Sequence, residues 1–214
     1  LDNRIVHYEG ATNAGKNTAT DLWSMMYPYL EGNTKSVNYD ANSNWAQQPY
    51  FMCEYDHAMG NSLGNLQEYW DVIESSKYGI GGCVWDWVDQ SIVAADDIKN
   101  NTLTENGFNK YRTGYDYPAA PHQGNFVNNG IINADRTWSA KLDELKKVYQ
   151  YVRFEKFDAA TSTLTLRNVY DFTSLNGKTL LYNVTIDGKQ VSNGQLTLSD
   201  IAAGSTATDR KSVV

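Results

Sequence analysis

Side chains that could do chemistry concentrate in two short segments, each preceded by a run of apolar residues. In the first, an apolar run leads into Glu54, and His57 follows three residues later. In the second, a similar run leads into Trp85 and Asp86. A carboxylate can attack or stabilise an oxocarbenium-like carbon, an indole offers a flat apolar face to a sugar ring, and an imidazole can donate to a hydroxyl. The combination predicts a site for carbohydrate chemistry.

The segments before residue 151 have the pattern of a (β/α) barrel. Short and nearly all apolar runs, typical of parallel strands buried on both faces, predict strands at residues 4–8, 22–27, 50–53 and 82–85. In such barrels the catalytic groups lie at the C-terminal ends of the strands. We therefore expect Glu54 and Trp85 to lie close together on one rim.

Two helices are predicted among these strands. Apolar residues at helical spacing predict the first over about residues 63–75, with Ser62 as its N-cap. The second is predicted over about residues 139–149, with Thr137 or Ser139 as its cap.

From residue 151 onward the pattern indicates β structure throughout. Alternation predicts strands at residues 152–157, 163–166, 180–186 and 195–198. Asp187-Gly188 predicts a type I′ hairpin turn, and Asn193-Gly194 predicts another turn. Roughly five strands suit part of an immunoglobulin-like sandwich, which has about seven.

The expected fold class is α/β plus β. Residues 1–150 would form the C-terminal half of a (β/α)8 TIM barrel, and residues 151–208 a truncated immunoglobulin-like β-sandwich. A whole barrel takes roughly 250 residues, so we expect the other half to precede Leu1. The last six residues, 209–214, back-translate to a string resembling a DNA-sequencing adapter, and we expect a non-native tail there. A genuine polar tail is the alternative.

Composition excludes several classes of function. The net charge of −7 argues against nucleic acid as the main partner, and the sequence has no apolar stretch long enough to span a membrane. The two cysteines, Cys53 and Cys83, match neither a disulfide scaffold nor a zinc spacing. Six Trp and fifteen Tyr are an aromatic excess that suits sugar binding as well as cores.

Three segments carry a family resemblance: Cys53-Glu54-Tyr55, HAMGNS at residues 57–62, and GCVWDWVDQ at residues 82–90. Together they resemble glycoside hydrolase family 2, in particular its large bacterial β-galactosidases. Further support comes from Tyr8-Glu9-Gly10, residues 18–21, Met26-Tyr27, Asn129-Gly130-Ile131 and residues 134–137. The resemblance is close over residues 4–151 and looser beyond.

The resemblance implies a retaining β-galactosidase that hydrolyses terminal non-reducing β-D-galactose residues of β-galactosides. It assigns these roles: Glu54, nucleophile; Tyr27, hydrogen-bonding neighbour of the nucleophile; His57, hydroxyl binder; Trp85, floor of the galactose subsite; Asn129 and the Phe126 carbonyl, sodium ligands. Each side chain could instead be structural. A related β-glycosidase of other sugar preference and a non-catalytic sugar-binding fragment are the alternative functions.

The partner acid of a retaining mechanism is missing from this sequence. The family carries it in an Asn-Glu motif on an earlier strand, and no such motif precedes Glu54. We therefore expect the chain to be inactive by itself. The resemblance also implies sodium and magnesium in the whole protein, the magnesium ligands lying outside this chain, and a homo-oligomer. A bacterial source is implied, with cytoplasm and periplasm both open.

Other residues were weighed for chemistry. A Cys53–His57 dyad is disfavoured because strand alternation should turn Cys53 away from the rim. Asp86 and Asp89 could bind a metal, but supporting or solvated roles are favoured. Residues 79–82 lack the Lys-Ser/Thr of a phosphate loop. No role is assigned to His122.

Overall fold

The computed structural model describes residues 2–12, 20–32 and 48–210. Leu1, residues 18–19 of one family motif, and residues 211–214 of the expected tail lie outside this range. The chain divides into a first unit, Leu1–Val148, and a second unit, Tyr149–Val214. In the described residues, no helix combines the length and apolar character needed to cross a bilayer.

A three-stranded parallel sheet organises the first unit. Strands β1 (Trp23–Met26), β2 (Tyr50–Tyr55) and β3 (Gly79–Val84) lie in that order, with β2 in the centre. Tyr50, Met52 and Tyr55 of β2 are completely buried. Helix α2 (Leu66–Ser75) connects β2 to β3 and buries Leu66 and Ile73. The strand–helix–strand order predicted around Glu54 is therefore present.

The strand predicted at residues 4–8 does not form. Val6 instead exchanges two hydrogen bonds with Asp21: its N–H donates to Asp21 Oδ2 at 2.8 Å, and the Asp21 N–H donates to its carbonyl at 2.9 Å. Ile5 and Val6 are more than half exposed, so this run is not buried on both faces as a central strand would be. A short helix, α1 (Glu9–Thr12), follows.

The two predicted helices form, but the predicted cap Ser62 does not precede the first of them, whose N-cap is Asn65. Leu63 and Asn65 have φ of 82° and 65°, so α2 begins only at Leu66. The Ser62 hydroxyl donates to the carbonyls of His57 and Met59 instead of capping α2.

A long segment with little regular secondary structure connects β3 to the last helix of the first unit. It contains α3 (Ala95–Lys99), the short strands β4 (Thr104–Glu105) and β5 (Phe108–Asn109), and a 3-10 turn (Gly114–Asp116). The buried Asp97 holds it together, because its carboxylate binds Lys110 at 3.0 Å and Arg112 at 2.9 Å. Helix α4 (Ala140–Val148) ends the unit. Of the two predicted caps, Ser139 directly precedes α4 and its hydroxyl donates to the Ile131 carbonyl, whereas the Thr137 hydroxyl bonds to Asp135.

The second unit is antiparallel. Strands β6 (Val152–Asp158), β7 (Thr163–Asn168) and β10 (Thr206–Arg210) form one sheet in the order β10-β7-β6. Strands β8 (Thr179–Ile186) and β9 (Lys189–Thr197) form a hairpin. A core of Leu166, Leu175, Leu198 and Ile201 is packed against side chains of both sheets. An immunoglobulin-like topology stays a prediction.

One of the two predicted turns is confirmed. Asp187 and Gly188 have φ of 49° and 76°, the pair of positive values that a type I′ turn requires. Asn193-Gly194 is not a turn but lies inside β9, where Gly194 pairs with Tyr182. A Cβ on Gly194 would lie 2.5 Å from the Tyr182 hydroxyl oxygen, so glycine there serves a close cross-strand approach.

Candidate active site

A bulge at the end of β2 decides where Glu54 points. The pairing of β1 with β2 runs Met25 to Met52 and then Met26 to Glu54, so it passes over Cys53. Strict alternation from the buried Met52 would return Glu54 to the buried face. Because the bulge adds one residue, Glu54 is half-buried and leaves that face.

Tyr27 is held directly against Glu54. Its N–H donates to the Glu54 carbonyl at 2.7 Å, and its backbone turns with φ of 49° just beyond β1. Burial, then hydrogen bonding to Glu54 and the charge of its carboxylate, raise the pKa of the Tyr27 hydroxyl well above its usual range. The phenol therefore keeps its proton and remains a donor to the carboxylate.

His57 joins two further aromatic rings beside Glu54. Its ring centroid lies 5.9 Å from that of Tyr27 and 5.9 Å from that of Phe126. Tyr27 and Phe126 are 39% and 56% exposed, so their outer faces are accessible. The three rings form what we call the aromatic wall: Tyr27, His57 and Phe126.

Trp85 follows β3 directly and connects two parts of the rim. Its N–H donates to the Tyr55 carbonyl at 3.0 Å, and its carbonyl accepts from the Ala58 N–H at 2.6 Å. The side chain is half-buried. The main chains that carry Glu54, His57 and Trp85 are thus hydrogen bonded to one another, which brings the sequence-predicted residues to one rim.

The segment that carries Asn129 packs onto the end of β3. The Asp86 N–H donates to the Asn129 carbonyl at 2.6 Å, and the Ile131 N–H donates back to the Asp86 carbonyl at 2.9 Å. Gly130 is required for this approach, because a Cβ there would lie 2.0 Å from the Asp89 nitrogen. The Asn129-Gly130-Ile131 motif therefore allows two loops that are distant in sequence to pack closely against each other.

Asn129 and Phe126 fit the oxygen ligands of a hard cation. Asn129 is 4% exposed, and its Oδ1 has no hydrogen-bond partner among the described residues. Its Nδ2 donates to the Phe126 carbonyl at 2.7 Å, so both oxygens lie on one turn. A buried acceptor without a partner is costly, and hard cations take oxygen ligands. The sodium assignment remains a prediction that this geometry accommodates.

The residues weighed as alternative metal or thiol sites have other partners. Asp86 accepts from the Trp87 N–H and the Gln90 amide, and Asp89 accepts from the Gly130 N–H at 2.7 Å. Across the described ranges, no group of three or more His, Cys, Asp or Glu side chains suits a metal ion.

Cys53 and His122 are likewise occupied. Strict alternation from Met52 puts Cys53 off the buried face, and the bulge brings Glu54 off that face as well. The Cys53 sulfur contacts the Met25 carbonyl at 3.4 Å and Ser24. Burial raises the pKa of this thiol. His122 Nδ1 accepts from the Gly124 N–H at 3.0 Å.

Sequence reasoning missed two residues beside the rim. Asp56 has φ of 51° and a buried Oδ2 without a hydrogen-bond partner in the described chain; burial, and then the charge of Glu144, raise its pKa to about 6. Lys141 of α4 donates from Nζ to the carbonyls of Ala58 and Gly130. Neither gives a signal in the sequence, because a charged residue in a polar loop or on a helix is usually solvated.

Comparison with known proteins agrees with this arrangement. Residues 1–154 match the family model described as "Glycosyl hydrolases family 2, TIM barrel domain". Residues 164–211 match the one described as "Beta-galactosidase, domain 4". The first match covers every residue of the rim described above.

Three curated relatives are each named beta-galactosidase. The chain is 37% identical to that of Priestia megaterium, over 88% of this chain and 17% of the relative. It is 36% identical to that of Photobacterium profundum, over 96% of this chain and 20% of the relative. It is 32% identical to that of Actinobacillus pleuropneumoniae, over 92% of this chain and 18% of the relative. The chain thus spans a fifth or less of the length of these relatives, and it belongs to glycosyl hydrolase family 2.

Proposed function

We propose that this chain is the nucleophile-bearing part of the catalytic barrel of a retaining β-galactosidase. The observation that carries the proposal is the position of Glu54 at the end of a parallel strand, directly against Tyr27, whose N–H donates to the Glu54 carbonyl at 2.7 Å. Family membership and three relatives named beta-galactosidase support the substrate class. The substrate would be the terminal non-reducing β-D-galactose residue of a β-galactoside.

Glu54 would act as the nucleophile in two displacements. In the first, its carboxylate forms a bond to the anomeric carbon while the bond to the aglycone oxygen breaks and a partner acid protonates that oxygen. In the second, water attacks the same carbon, the partner now takes its proton, and Glu54 leaves as a carboxylate. The protonated Tyr27 orients Glu54 and stabilises its negative charge when it leaves.

The remaining residues of the rim would bind the sugar. The half-buried Trp85 offers an indole face to a pyranose, and His57 in the aromatic wall can donate to a hydroxyl. Asn129 Oδ1 and the Phe126 carbonyl would hold sodium, which supplies positive charge for sugar oxygens when bound. The uncommitted Oδ1 of Asn129 supports that assignment.

The partner acid is assigned outside this chain. A retaining mechanism places two carboxyl groups about 5–5.5 Å apart, and no Asn-Glu motif precedes Glu54 in the sequence. We infer that a longer protein supplies the acid and the magnesium ligands. General acid catalysis is worth about 10²–10⁴-fold, so the chain expressed alone is expected to be inactive.

The direct test is Glu54→Gln in the full-length enzyme. Turnover of an aryl β-galactoside should fall by at least about 10³-fold, because the covalent route is lost. A 2-deoxy-2-fluoro-β-galactoside should label Glu54, as read by peptide mass spectrometry. The control is Glu155→Gln, which removes an exposed carboxylate paired with Arg167 in the second unit and should leave turnover unchanged.

Three results would contradict parts of the proposal. Labelling of Asp86 in place of Glu54 would overturn the nucleophile assignment. Preference for an aryl β-glucoside over the galactoside would leave the mechanism standing and replace the sugar. Saturable galactose binding without any turnover by the full-length protein would indicate a sugar-binding protein.

A further inference from the structure

Lys141 connects two loops of the rim from a helix that carries none of the proposed catalytic residues. It lies in the first turn of α4 and is half-buried. Its Nζ donates to the Ala58 carbonyl and, at 2.9 Å, to the Gly130 carbonyl. Ala58 is completely buried, so water cannot easily replace the ammonium at that carbonyl.

Each of the two carbonyls is adjacent to a residue that the proposed function places on the sugar. Ala58 follows His57, whose ring belongs to the aromatic wall. Gly130 follows Asn129, whose buried Oδ1 has no partner in the described chain. The ammonium therefore acts on the main chain one residue away from both side chains.

The Lys141 contacts complete a chain of main-chain hydrogen bonds around the rim. The Ala58 N–H donates to the Trp85 carbonyl, and the Asp86 N–H donates to the Asn129 carbonyl, both at 2.6 Å. Lys141 connects the two ends of this series, because its ammonium donates to the carbonyls of Ala58 and Gly130. A charged donor makes shorter and stronger hydrogen bonds than a neutral one, so the ammonium fixes the spacing between the loop after β2 and the loop that carries Asn129.

We propose that Lys141 is a positioning residue that sets the distance between His57 and Asn129 in the galactose subsite. The proposal rests on the proposed function for the identity of the sugar. Without the ammonium, two inward-facing carbonyls lose their donor and the loops can separate. Misplacement of binding groups by about 1 Å can cost on the order of 100-fold in catalysis.

The test replaces Lys141 in the full-length enzyme and measures binding as well as turnover. Lys141→Met keeps the length of the side chain and removes its charge. Binding of a galactose-configured iminosugar, measured by titration calorimetry, should weaken by about tenfold or more, with a matching rise in KM. Lys141→Arg keeps a charged donor and should restore both values to within about threefold.

The matched control lies on the same helix. Lys147 is exposed in the last turn of α4, and Lys147→Met should change neither the iminosugar Kd nor KM. If Lys141→Met does not fold, Lys141→Gln retains an amide donor, and an intermediate loss of affinity is expected from it.

The outcomes separate this inference from the proposed function. A lower melting temperature for the folded Lys141 variant, with unchanged Kd and KM, would overturn the positioning role and leave a structural one. If the parent enzyme binds a glucose-configured iminosugar in preference, the proposed sugar is wrong. The same Lys141 comparison then runs with that ligand, and the positioning role stands only if affinity falls.

Discussion

The two units of the chain use β structure in opposite ways. In the first, parallel strands end at the same edge, so Glu54 and Trp85, which are far apart in sequence, are carried by hydrogen-bonded main chain. In the second, antiparallel strands such as β8 and β9 turn back through Asp187-Gly188, and neighbouring strand ends point in opposite directions. Parallel ends gather polar groups at one rim, whereas hairpins disperse them.

Their accessible surfaces differ accordingly. The first unit presents a carboxylate, an imidazole and aromatic rings at its rim. The second presents an apolar groove of about 230 Å³, lined by Phe154, Phe157, Ser162, Leu164, Leu180, Leu181, Tyr182, Val184, Leu196 and Leu198. Among the residues that the structure describes, no charged side chain lines this groove. We therefore expect substitutions of the side chains exposed at the rim of the first unit to change kinetics and substitutions in the second unit to change stability.

Tyr27→Phe should give the largest effect among the residues that support Glu54. It removes the donor to the carboxylate, and a hydrogen bond to a charged group is worth about 1.5–3 kcal/mol, or roughly 10–150-fold in rate. Turnover of an aryl β-galactoside in the full-length enzyme measures it. The counterpart, Tyr151→Phe in the second unit, should leave turnover intact. An unchanged kcat in Tyr27→Phe would show that the hydroxyl does not assist Glu54.

Trp85→Ala should raise KM about 10–100-fold with a small loss of thermal stability. The half-buried indole would lose its sugar contact, while a fully buried Trp truncated in a core costs about 3–5 kcal/mol. The reverse result is expected for Leu166→Ala in the second unit, where Leu166 is completely buried: a lower melting temperature and an unchanged KM. A collapse of melting temperature in Trp85→Ala, with normal KM in the folded fraction, would make Trp85 a core residue.

Asp56→Asn should raise stability at neutral pH. Burial holds the pKa of folded Asp56 at about 6 against an ordinary 3.8. The buried negative charge of Asp56 destabilises the folded state. This destabilisation is absent below pH 3.8, grows as the pH rises towards 6, and is complete above pH 6. With partial solvent access the gain is on the order of 1–2 kcal/mol.

Melting temperatures of the full-length protein at pH 4 and pH 7.5 measure this gain. The variant should melt higher than the parent only at pH 7.5. Asp143→Asn, an exposed change on α4, should show no such difference. Equal shifts of the Asp56 variant at both pH values would contradict the role of its charge.

Gly188→Ala should lower stability by about as much as Asp56→Asn raises it and should leave kinetics unchanged. Gly188 has φ of 76°, and an L-residue in that region costs roughly 1–2 kcal/mol. Urea unfolding should detect the loss as an earlier midpoint, with galactoside kinetics unchanged because the hairpin carries no rim residue. Gly64→Ala has open space around its Cβ and no positive φ, so it should leave the midpoint unchanged. A kinetic effect of Gly188→Ala would break the separation between the units.

In the second unit, the strands predicted at residues 152–157, 163–166 and 180–186 form as β6, β7 and β8, and one of the two predicted turns forms. Asp187-Gly188 was correct because a type I′ turn depends on two adjacent residues. The turn predicted at Asn193-Gly194 does not form because both residues pair across the hairpin, where Gly194 lies against Tyr182 of the opposite strand. In the first unit, the strand expected at residues 4–8 was replaced by contacts with Asp21, which no local pattern reports.

The amino-acid sequence by itself determined the chemical groups available and their order along the chain. Residue types after apolar runs indicated carbohydrate chemistry around Glu54, His57 and Trp85, and the family resemblance assigned the role of each residue. Only the tertiary structure decided how they are aimed. The bulge that turns Glu54 off the buried face comes from pairing with β1. The Lys141 contact joins α4 to Ala58 across 83 positions of sequence. Register and long-range hydrogen bonds depend on partners that a local pattern does not contain.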